Sequence, residues 1–350
     1  MRRSITGRGA AGNPKNRFER IEVEPDPAGQ DEQPRPETIY LRDHSHSIIA
    51  RNDSLDIGFD ASINPYRGCS HGCAYCYARP THEYLGLSAG LDFESKILVK
   101  QGAPELLRKQ LSSARWEPKV LSMSGVTDPY QPVEKKLRIT RRCLEVLAEF
   151  RNPVGIVTKN HLVTRDVDLL SELARYNAAV VAVSLTTLDD ELRCVMEPRT
   201  SRPVRRLAAI RKLAEAGIPV GVMTAPVIPG INDHELPKLI SSAAEAGATF
   251  AGYVPVRLPY AVRPIFEDWL ERHFPERKEK VLNRIRSMRG GKLNDPRFGS
   301  RMKGEGIFAE HIAQLFDISC RRAGIEPGSF PRLSTAAFRK AGDVQPSLFD

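Results

Sequence analysis

Short runs of apolar residues recur along most of the chain. Each run is continuous and rich in β-branched residues, which is typical of strands buried on both faces of a parallel sheet. These runs predict six strands, at residues 62–66, 119–125, 154–159, 180–186, 220–226 and 250–256.

Helical patterns lie between these runs, with apolar residues three and four positions apart. Two of these helices are expected to end before Gly217 and Gly247, because glycine is favoured directly after a helix C-terminus. In another, one stripe carries only apolar side chains: Ile139, Cys143, Leu147 and Phe150. The alternation of strand and helix, with a repeat of roughly thirty residues, predicts an α/β fold built as a partial (β/α)6 parallel barrel. A doubly wound sheet is the alternative, but no GxGxxG sequence follows a strand, which disfavours a dinucleotide-binding fold.

Composition divides the chain into four parts. Residues 1–50 have a basic arm and an acidic, Pro-rich stretch, and we interpret them as a disordered or draped extension. Residues 51–260 contain the predicted barrel. Residues 261–335 form a helical and basic region, and residues 336–350 a flexible tail. Three apolar side chains of the helical region are expected to close the open side of the barrel: Trp269, Phe274 and Leu282.

The bulk composition limits where the protein acts and what it binds. The 350 residues are 41% hydrophobic, and no apolar run is long enough to cross a bilayer, so no membrane partner is expected. The N-terminus lacks the apolar segment of a secretory signal, which predicts a cytoplasmic location. The six cysteines therefore do not predict disulfides. The formal net charge of +9 favours polyanionic partners.

Three cysteines stand close together after the first predicted strand. Cys69, Cys73 and Cys76 have the spacing C-x3-C-x2-C. Three thiolates on one short loop can bind three irons of a cubane cluster, and the fourth iron is then open to chemistry. Gly68 and Gly72 allow the loop to wrap closely around a bulky group.

Zinc is the alternative metal for this loop. His71 or His82 would then complete a Cys3His site. Zinc sites usually pair two short ligand pairs, and no second pair is visible in the sequence. Both histidines are therefore interpreted as hydrogen-bonding residues of the loop.

The cysteine spacing, with an aromatic residue before the last cysteine, resembles the signature of the radical S-adenosylmethionine (radical SAM) superfamily. Residues 67–100, 196–200 and 225–237 are further similar to the bacterial branch related to spore photoproduct lyase, the DNA repair photolyase group. The resemblance implies a 4Fe–4S cluster, S-adenosylmethionine bound at the open iron, and a 5′-deoxyadenosyl radical formed on reduction. It also implies an external one-electron reductant of the flavodoxin or ferredoxin type.

The same resemblance implies roles for particular residues. Cys69, Cys73 and Cys76 would bind the cluster, and Tyr75 and Tyr77 would be the catalytic candidates beside it. The residues implied to bind S-adenosylmethionine stand at predicted strand ends or in the Glu-Pro-Arg turn, and they are Thr127, Asp128, Lys159, Ser184 and Arg199. Barrel enzymes place their sites at such strand ends.

One position departs from the lyase pattern. The lyase has a hydrogen-donating cysteine where this chain has Gly125. Cys143 and Cys320 fall on apolar helix stripes and are interpreted as core residues, Cys320 sharing its stripe with Phe308. Cys194 is expected to be more exposed and is a weak replacement. Tyr77 is the stronger candidate for a hydrogen-atom relay, with a packing role beside the cluster as the alternative.

The predicted function is radical chemistry on nucleic acid, as lyase-like DNA repair or modification. One alternative is the same chemistry on a peptide or small metabolite, and another is a zinc-stabilised protein that binds nucleic acid without catalysis. Residues 284–303 carry seven basic residues against one acid, which favours either a phosphate contact or a solvated surface.

The last residues suggest a protein partner. Gln345, Leu348 and Phe349 lie in a sequence similar to the short peptide with which bacterial repair proteins bind the sliding clamp. Leu348 and Phe349 would fill an apolar pocket there, and the alternative is that they pack back onto the barrel.

Overall fold

The computed structural model describes residues 5–19 and 37–340. The predicted clamp-binding residues Gln345, Leu348 and Phe349 lie outside this range. The strands of the described part are β1 (Ile39–Arg42), β2 (Ile49–Arg51), β3 (Ala61–Ile63), β4 (Tyr66–Arg67), β5 (Lys96–Val99), β6 (Leu121–Met123), β7 (Val154–Thr158), β8 (Ala179–Ser184), β9 (Val220–Val227) and β10 (Phe250–Pro255).

The helices alternate with the later strands. They are α1 (Leu91–Ser95), α2 (Ala103–Ser112), α3 (Glu134–Leu137), α4 (Ile139–Phe150), α5 (Val167–Ala174), α6 (Asp190–Met196), α7 (Pro203–Glu215), α8 (Leu236–Glu245), α9 (Val262–His273), α10 (Lys278–Ser287), α11 (Ser300–Lys303) and α12 (Ile307–Arg322). A 3₁₀ helix, Arg79–Leu85, follows the cysteine loop. No helix within the described residues is long and apolar enough to span a bilayer.

The main sheet has the topology that the apolar runs predict. Its order is β10-β9-β8-β7-β6-β3-β2, and within this sheet β3, β6, β7, β8, β9 and β10 pair in parallel in chain order. Only β2 is antiparallel, on the outer side of β3. Parallel neighbours joined by helices place all the strand C-termini at one edge, as in a partial (β/α)6 barrel. The α/β prediction is confirmed.

The first predicted strand is shorter than expected. The main sheet keeps only Ala61–Ile63, and Tyr66–Arg67 pairs with β5 in a separate three-stranded sheet of order β1-β5-β4. Pro65 has no N–H to donate, and the side chain of Asn64 accepts from the backbone N–H of Gly125 at 2.9 Å. The chain therefore leaves the sheet at these two residues and enters the cysteine loop.

The predicted helix stripes form the core. Ile139, Cys143, Leu147 and Phe150 of α4 are all buried. After α7 and α8, Gly217 and Gly247 have φ of +71° and +101°, which supports their predicted role as helix ends. Cys320 is buried as predicted, but Phe308 is exposed and does not share its environment.

The C-terminal helices pack against the cysteine loop. Trp269 of α9 is fully buried, and its indole N–H donates to the carbonyl oxygen of Val195 at 2.8 Å. Leu282 and Phe274 pack in the same apolar cluster, which also contains Cys73 and Tyr75.

Candidate active site

A buried arginine, Arg79, fixes the backbone of the cysteine loop. The guanidinium of Arg79 donates to the carbonyl oxygen of Cys73 from Nε at 3.1 Å and from Nη2 at 2.8 Å. Its Nη1 donates to the carbonyl oxygens of Ala89 and Gly90. Arg79 also pairs with Glu94, and both side chains are fully buried. A buried ion pair with every donor satisfied fixes the backbone of the loop.

The N-terminal segment completes this network. The carboxylate of Glu94 accepts from the backbone N–H of Gly9 at 3.1 Å and of Ala10 at 2.9 Å. A Cβ atom on Gly9 would lie 2.0 Å from the carbonyl oxygen of Gly72, so only glycine fits there. The backbone at Gly9 therefore lies directly against the cysteine loop.

A second set of contacts holds the start of the loop. The hydroxyl of Thr127 donates to the carbonyl oxygen of Gly68 at 2.7 Å, and the amide of Gln131 donates to the same oxygen at 3.2 Å. The side-chain oxygen of Gln131 accepts from the backbone N–H of Ser70 at 3.0 Å. Thr127 thus contacts the loop backbone, and Gln131 is a positioning residue that the sequence analysis missed.

The three loop thiols are free, and Cys69 and Cys76 are near enough to Cys73 to act on its pKa. Burial raises the pKa of the Cys73 thiol well above its ordinary value, and the carboxylate of Glu197 adds to the rise. Cys76 and Cys69 act in the same direction, while the charge of Lys159 opposes them. Cys73 is thus a thiol in the metal-free protein, and binding iron releases its proton.

The cysteine loop offers donors that suit an iron–sulfur cluster. A cubane takes each thiolate on a different iron, so three thiolates bind three irons and leave the fourth open. Hydrogen bonds fix the backbone of the loop at Gly68, Ser70 and Cys73, and all three thiols are free. Cys69, Cys73 and Cys76 therefore fit a cluster by their chemistry.

The two histidines have different surroundings. Nε2 of His82 lies 2.9 Å from the carbonyl oxygen of Lys96, and burial lowers the pKa of His82 to about 4. It hydrogen-bonds as predicted. Burial lowers the pKa of His71, but the charges of Asp128 and Cys69 outweigh burial and raise it to about 9. Nδ1 of His71 lies 3.4 Å from Oδ2 of Asp128, an electrostatic contact without hydrogen-bond alignment.

Asp128 joins two strand ends. Its carboxylate accepts from the hydroxyl of Thr158 and from the backbone N–H of Lys159, each at 2.8 Å. The ammonium of Lys159 donates to the carbonyl oxygen of Ala225 at 3.3 Å. The structure therefore brings the predicted Asp128 and Lys159 together on the side of the sheet that faces the cysteine loop.

Glu197 is a central residue that the sequence analysis did not assign. Its buried carboxylate accepts from the hydroxyls of Tyr75 and Thr186, and it pairs with Arg206. Nζ of Lys159 lies 3.9 Å from its Oε1. Burial raises the pKa of Glu197, but Arg206 and Lys159 outweigh burial and lower it to about 2. Glu197 is therefore ionised, and its Oε1 atom accepts a hydrogen bond from Tyr75 and forms an ion pair with Lys159.

A sequence signal for this pair exists. Arg206 occupies a position on the buried stripe of α7, with Pro203, Ile210 and Leu213 as its neighbours. A charged residue on an apolar stripe needs a buried partner. Nothing in the sequence identifies Glu197 as that partner, because the pairing depends on the turn after α6.

Comparison with known proteins decides the family. The model of the radical SAM superfamily matches residues 63–243, which is more than half of the 350 residues. The chain belongs to the radical SAM superfamily. Members of this superfamily use a 4Fe–4S cluster and S-adenosylmethionine, and these are the cofactors of this radical SAM enzyme.

Three relatives illustrate how widely similar sequences occur. An uncharacterised protein of Mycobacterium tuberculosis is 39% identical over 239 residues, 66% of this chain and 70% of that protein. An uncharacterised protein of Methanocaldococcus jannaschii is 28% identical over 222 residues, 63% of this chain and 79% of that protein. The radical SAM Nα-GlyT isomerase of Pseudomonas phage M6 is 28% identical over 217 residues, 61% of this chain and 43% of that protein.

The fold is shared with spore photoproduct lyase. The lyase complexed with its dinucleoside spore photoproduct superposes with a TM-score of 0.58 at 16% identity, over 82% of this chain and 81% of that chain. A mutant with bound S-adenosylmethionine and the same dinucleoside gives a TM-score of 0.57 at 18% identity, over 82% and 80% of the two chains. The resemblance inferred from the cysteine loop is confirmed at the level of the fold.

Three further predicted residues of this radical SAM enzyme have mixed surroundings. The ring of Tyr77 is 53% exposed at the end of the cysteine loop, and its hydroxyl reaches Gly125. Ser184 is buried at the C-terminus of β8. The side chain of Arg199 points to the hydroxyl of Thr38 at 3.2 Å, and its backbone N–H donates to the carbonyl oxygen of His71. Arg199 therefore contacts the cysteine loop through its backbone, and its side chain contacts Thr38.

Most arginines of the basic stretch, residues 284–303, form ion pairs or hydrogen bonds within the protein. Arg301 pairs with Asp56, and Arg297 lies 2.9 Å from Asp295. Arg289 is buried and donates to the backbone carbonyl oxygens of Pro255, Val256, Ser300 and Arg301. Lys292 and Lys303 of this stretch form no ion pair within the described part of the chain.

Proposed function

We propose that this radical SAM enzyme binds its 4Fe–4S cluster through Cys69, Cys73 and Cys76 and acts on nucleic acid. When bound, the cluster and S-adenosylmethionine supply a 5′-deoxyadenosyl radical that takes a hydrogen atom from the substrate. The residues of the chain would bind and orient these cofactors. A cytoplasmic location and an external flavodoxin- or ferredoxin-type reductant are part of the proposal.

The strand-end residues would bind and orient S-adenosylmethionine. Lys159 offers a partly buried ammonium to the carboxylate of the cofactor, and Glu197 keeps that ammonium aimed at the cysteine loop. Thr127 and Asp128 would act from the neighbouring strand end, the first by fixing the loop and the second by fixing Lys159. Ser184 would line the cofactor site from β8.

A cluster of exposed aromatic rings carries the proposal of a nucleic-acid substrate. Phe18, Tyr84 and Tyr260 are 53%, 73% and 65% exposed. Phe18 and Tyr84 have ring centroids 4.8 Å apart, and the guanidinium of Arg17 lies 3.7 Å from the ring centre of Tyr260. Exposed aromatics interleaved with arginine form stacking surfaces for unpaired bases.

Two members of this aromatic cluster follow elements of the candidate active site along the chain, which supports the proposal. Tyr84 lies in the 3₁₀ helix that follows the cysteine loop, and Tyr260 lies in the connection after β10. Tyr260 has φ of +48°, an unfavourable backbone conformation for a non-glycine residue. Strain of this kind is often retained where a side chain must be presented for function.

The neighbouring proteins support a nucleic-acid substrate without fixing the reaction. Spore photoproduct lyase binds a dinucleoside photoproduct in its solved complex. Gly125 stands where that lyase has its hydrogen-donating cysteine. We therefore propose a DNA repair or modification reaction whose last step does not use a cysteine at this position to return a hydrogen atom. The phage relative is named an isomerase, which agrees with such a variation.

The test is anaerobic reconstitution with iron and sulfide, reduction, and measurement of 5′-deoxyadenosine. We expect that single-stranded or damaged DNA stimulates its formation and that a Tyr84→Ala, Tyr260→Ala variant loses the stimulation but keeps basal cleavage. Stimulation by peptide or metabolite fractions, with no effect of DNA, would replace the nucleic-acid proposal. Stoichiometric zinc in a colourless protein would overturn the cluster assignment.

A further inference from the structure

Arg257 stands at the same edge of the sheet as the cysteine loop. It follows the last residue of β10, Pro255, by two positions, so it leaves the C-terminal end of the outermost parallel strand. Its guanidinium carbon lies 5.9 Å from the ring centre of Tyr77, which ends the cysteine loop. Arg257 therefore lies beside the end of the cysteine loop, after β10, whereas Lys159 directly follows β7, three positions away in the sheet.

The guanidinium of Arg257 is incompletely satisfied. Its Nε is buried and has no hydrogen-bond partner, and its Nη1 donates only to the weak acceptor Sδ of Met302 at 3.3 Å. No carboxylate of residues 5–19 or 37–340 forms an ion pair with it. Asp56 is near enough to act on its charge, but that carboxylate already binds Arg301 and the backbone N–H of Gly299. Buried donors without partners are rare and call for an explanation.

Two of the side chains near Arg257, Arg301 and Arg289, carry positive charge. Burial lowers the pKa of Arg257, and the neighbouring charge of Arg301 lowers it further. Arg289 lies next to it and is locked onto the carbonyl oxygens of Pro255 and Val256. The protein binds these two neighbours elsewhere, and among the three arginines Arg257 is the one with a buried donor, Nε, that has no partner in the described residues.

We infer that Arg257 binds a phosphate oxygen of the nucleic-acid substrate at the mouth of the active site. The inference rests on the proposed function and deepens it by naming the contact that positions the substrate. A guanidinium presents a planar fork of donors that matches phosphate, and partial desolvation strengthens the contact. A phosphate here would place its nucleoside beside Tyr77 and the cysteine loop.

The test is binding of a fluorescent single-stranded oligonucleotide to the oxidised holoenzyme without reductant, so that no turnover occurs. Arg257→Gln should bind about tenfold more weakly than the parent, as expected for one lost charge-assisted contact. Its salt slope should fall by about 0.7, the value for one phosphate of a single strand. Arg115→Gln is the matched control, because Arg115 is exposed and precedes β6 at the opposite edge of the sheet.

Replacing single phosphates of the oligonucleotide by neutral methylphosphonates shows which phosphate Arg257 contacts. When single methylphosphonates are placed in turn along the oligonucleotide, the parent should lose about tenfold in affinity at one linkage, and Arg257→Gln should be insensitive at that linkage. If Arg257→Gln responds to every linkage as the parent does, the inference is overturned while DNA binding stands. If the parent binds no oligonucleotide, the nucleic-acid proposal itself fails, and this inference with it.

Thermal melting separates a binding role from a packing role. A binding arginine with an unsatisfied buried donor contributes little to the fold, so ligand-free Arg257→Gln should melt at the parent's temperature or higher. A lower melting temperature with unchanged affinity would assign Arg257 to packing and overturn the inference. Arg257→Lys keeps the charge and should retain the salt slope while losing part of the affinity, since it lacks the fork.

Discussion

The hydroxyl of Tyr77 donates a hydrogen bond to the carbonyl oxygen of Gly125, with 2.9 Å between the two oxygens. This bond joins the end of the cysteine loop to the segment after β6. The resemblance to the lyase aligns Gly125 with the hydrogen-donating cysteine of that enzyme. On this resemblance we propose that the Tyr77 phenol exchanges a hydrogen atom with a product radical.

Tyr77→Phe tests that role. The ring and its packing remain, and loss of one partly exposed hydrogen bond should lower the free energy of unfolding by only about 1 kcal/mol. We expect normal iron content and normal 5′-deoxyadenosine formation, but loss of the final product. Mass spectrometry of the DNA product would measure this. Unchanged product yield would leave Tyr77 with a packing role only.

The cysteines divide into two groups with opposite expected behaviour. Replacing Cys69, Cys73 or Cys76 by Ala should abolish cluster binding, because three thiolates are needed for three irons. Cys143→Ala and Cys320→Ala should keep the cluster and cost on the order of 1 kcal/mol of stability. Iron and sulfide analysis with urea unfolding distinguishes the groups, and a fully loaded Cys73→Ala variant would contradict the assignment.

Lys159→Ala should weaken S-adenosylmethionine binding without removing the cluster. A charge-assisted contact to a carboxylate is worth about 1.5–3 kcal/mol, and that loss should appear in an anaerobic titration. Lys109→Ala is the control, since Lys109 is exposed on α2. Equal affinities for both variants would mean that another residue binds the cofactor carboxylate.

Glu197→Gln should make the stability of the cluster-free protein less dependent on acid pH. The folded pKa of Glu197, about 2, lies below the ordinary value of 4.5, so its ionisation stabilises the fold above pH 4.5, and this contribution is lost as pH falls towards 2. At neutral pH the variant should lose about 3–5 kcal/mol, because Arg206 is left without its partner.

Urea unfolding of the parent and Glu197→Gln across this pH range measures the effect. The difference between them should shrink steadily below pH 4.5. Glu117→Gln, at an exposed position without an ion pair in the described chain, should follow the parent at every pH. A constant difference for Glu197→Gln would mean that its carboxylate is not ionised in the folded protein.

The sequence predicts those parts of the structure that depend on local pattern. The strands from β6 to β10 and the stripe of α4 follow from periodicity, and the cysteine loop follows from spacing within eight residues. The three-stranded sheet was missed because β1 pairs with β5 across a long stretch of chain. Glu197 and Gln131 were missed for a similar reason, since each gains its role from partners that only the tertiary fold brings near.

N-terminal residues of the chain form part of the wall of the cysteine loop. The superfamily match begins at residue 63, yet Gly9 touches Gly72, and no side chain fits between them. A methyl group at Gly9 can be accommodated only if the cysteine loop moves, so even the smallest side chain at this position would disturb the cluster site from outside the matched region.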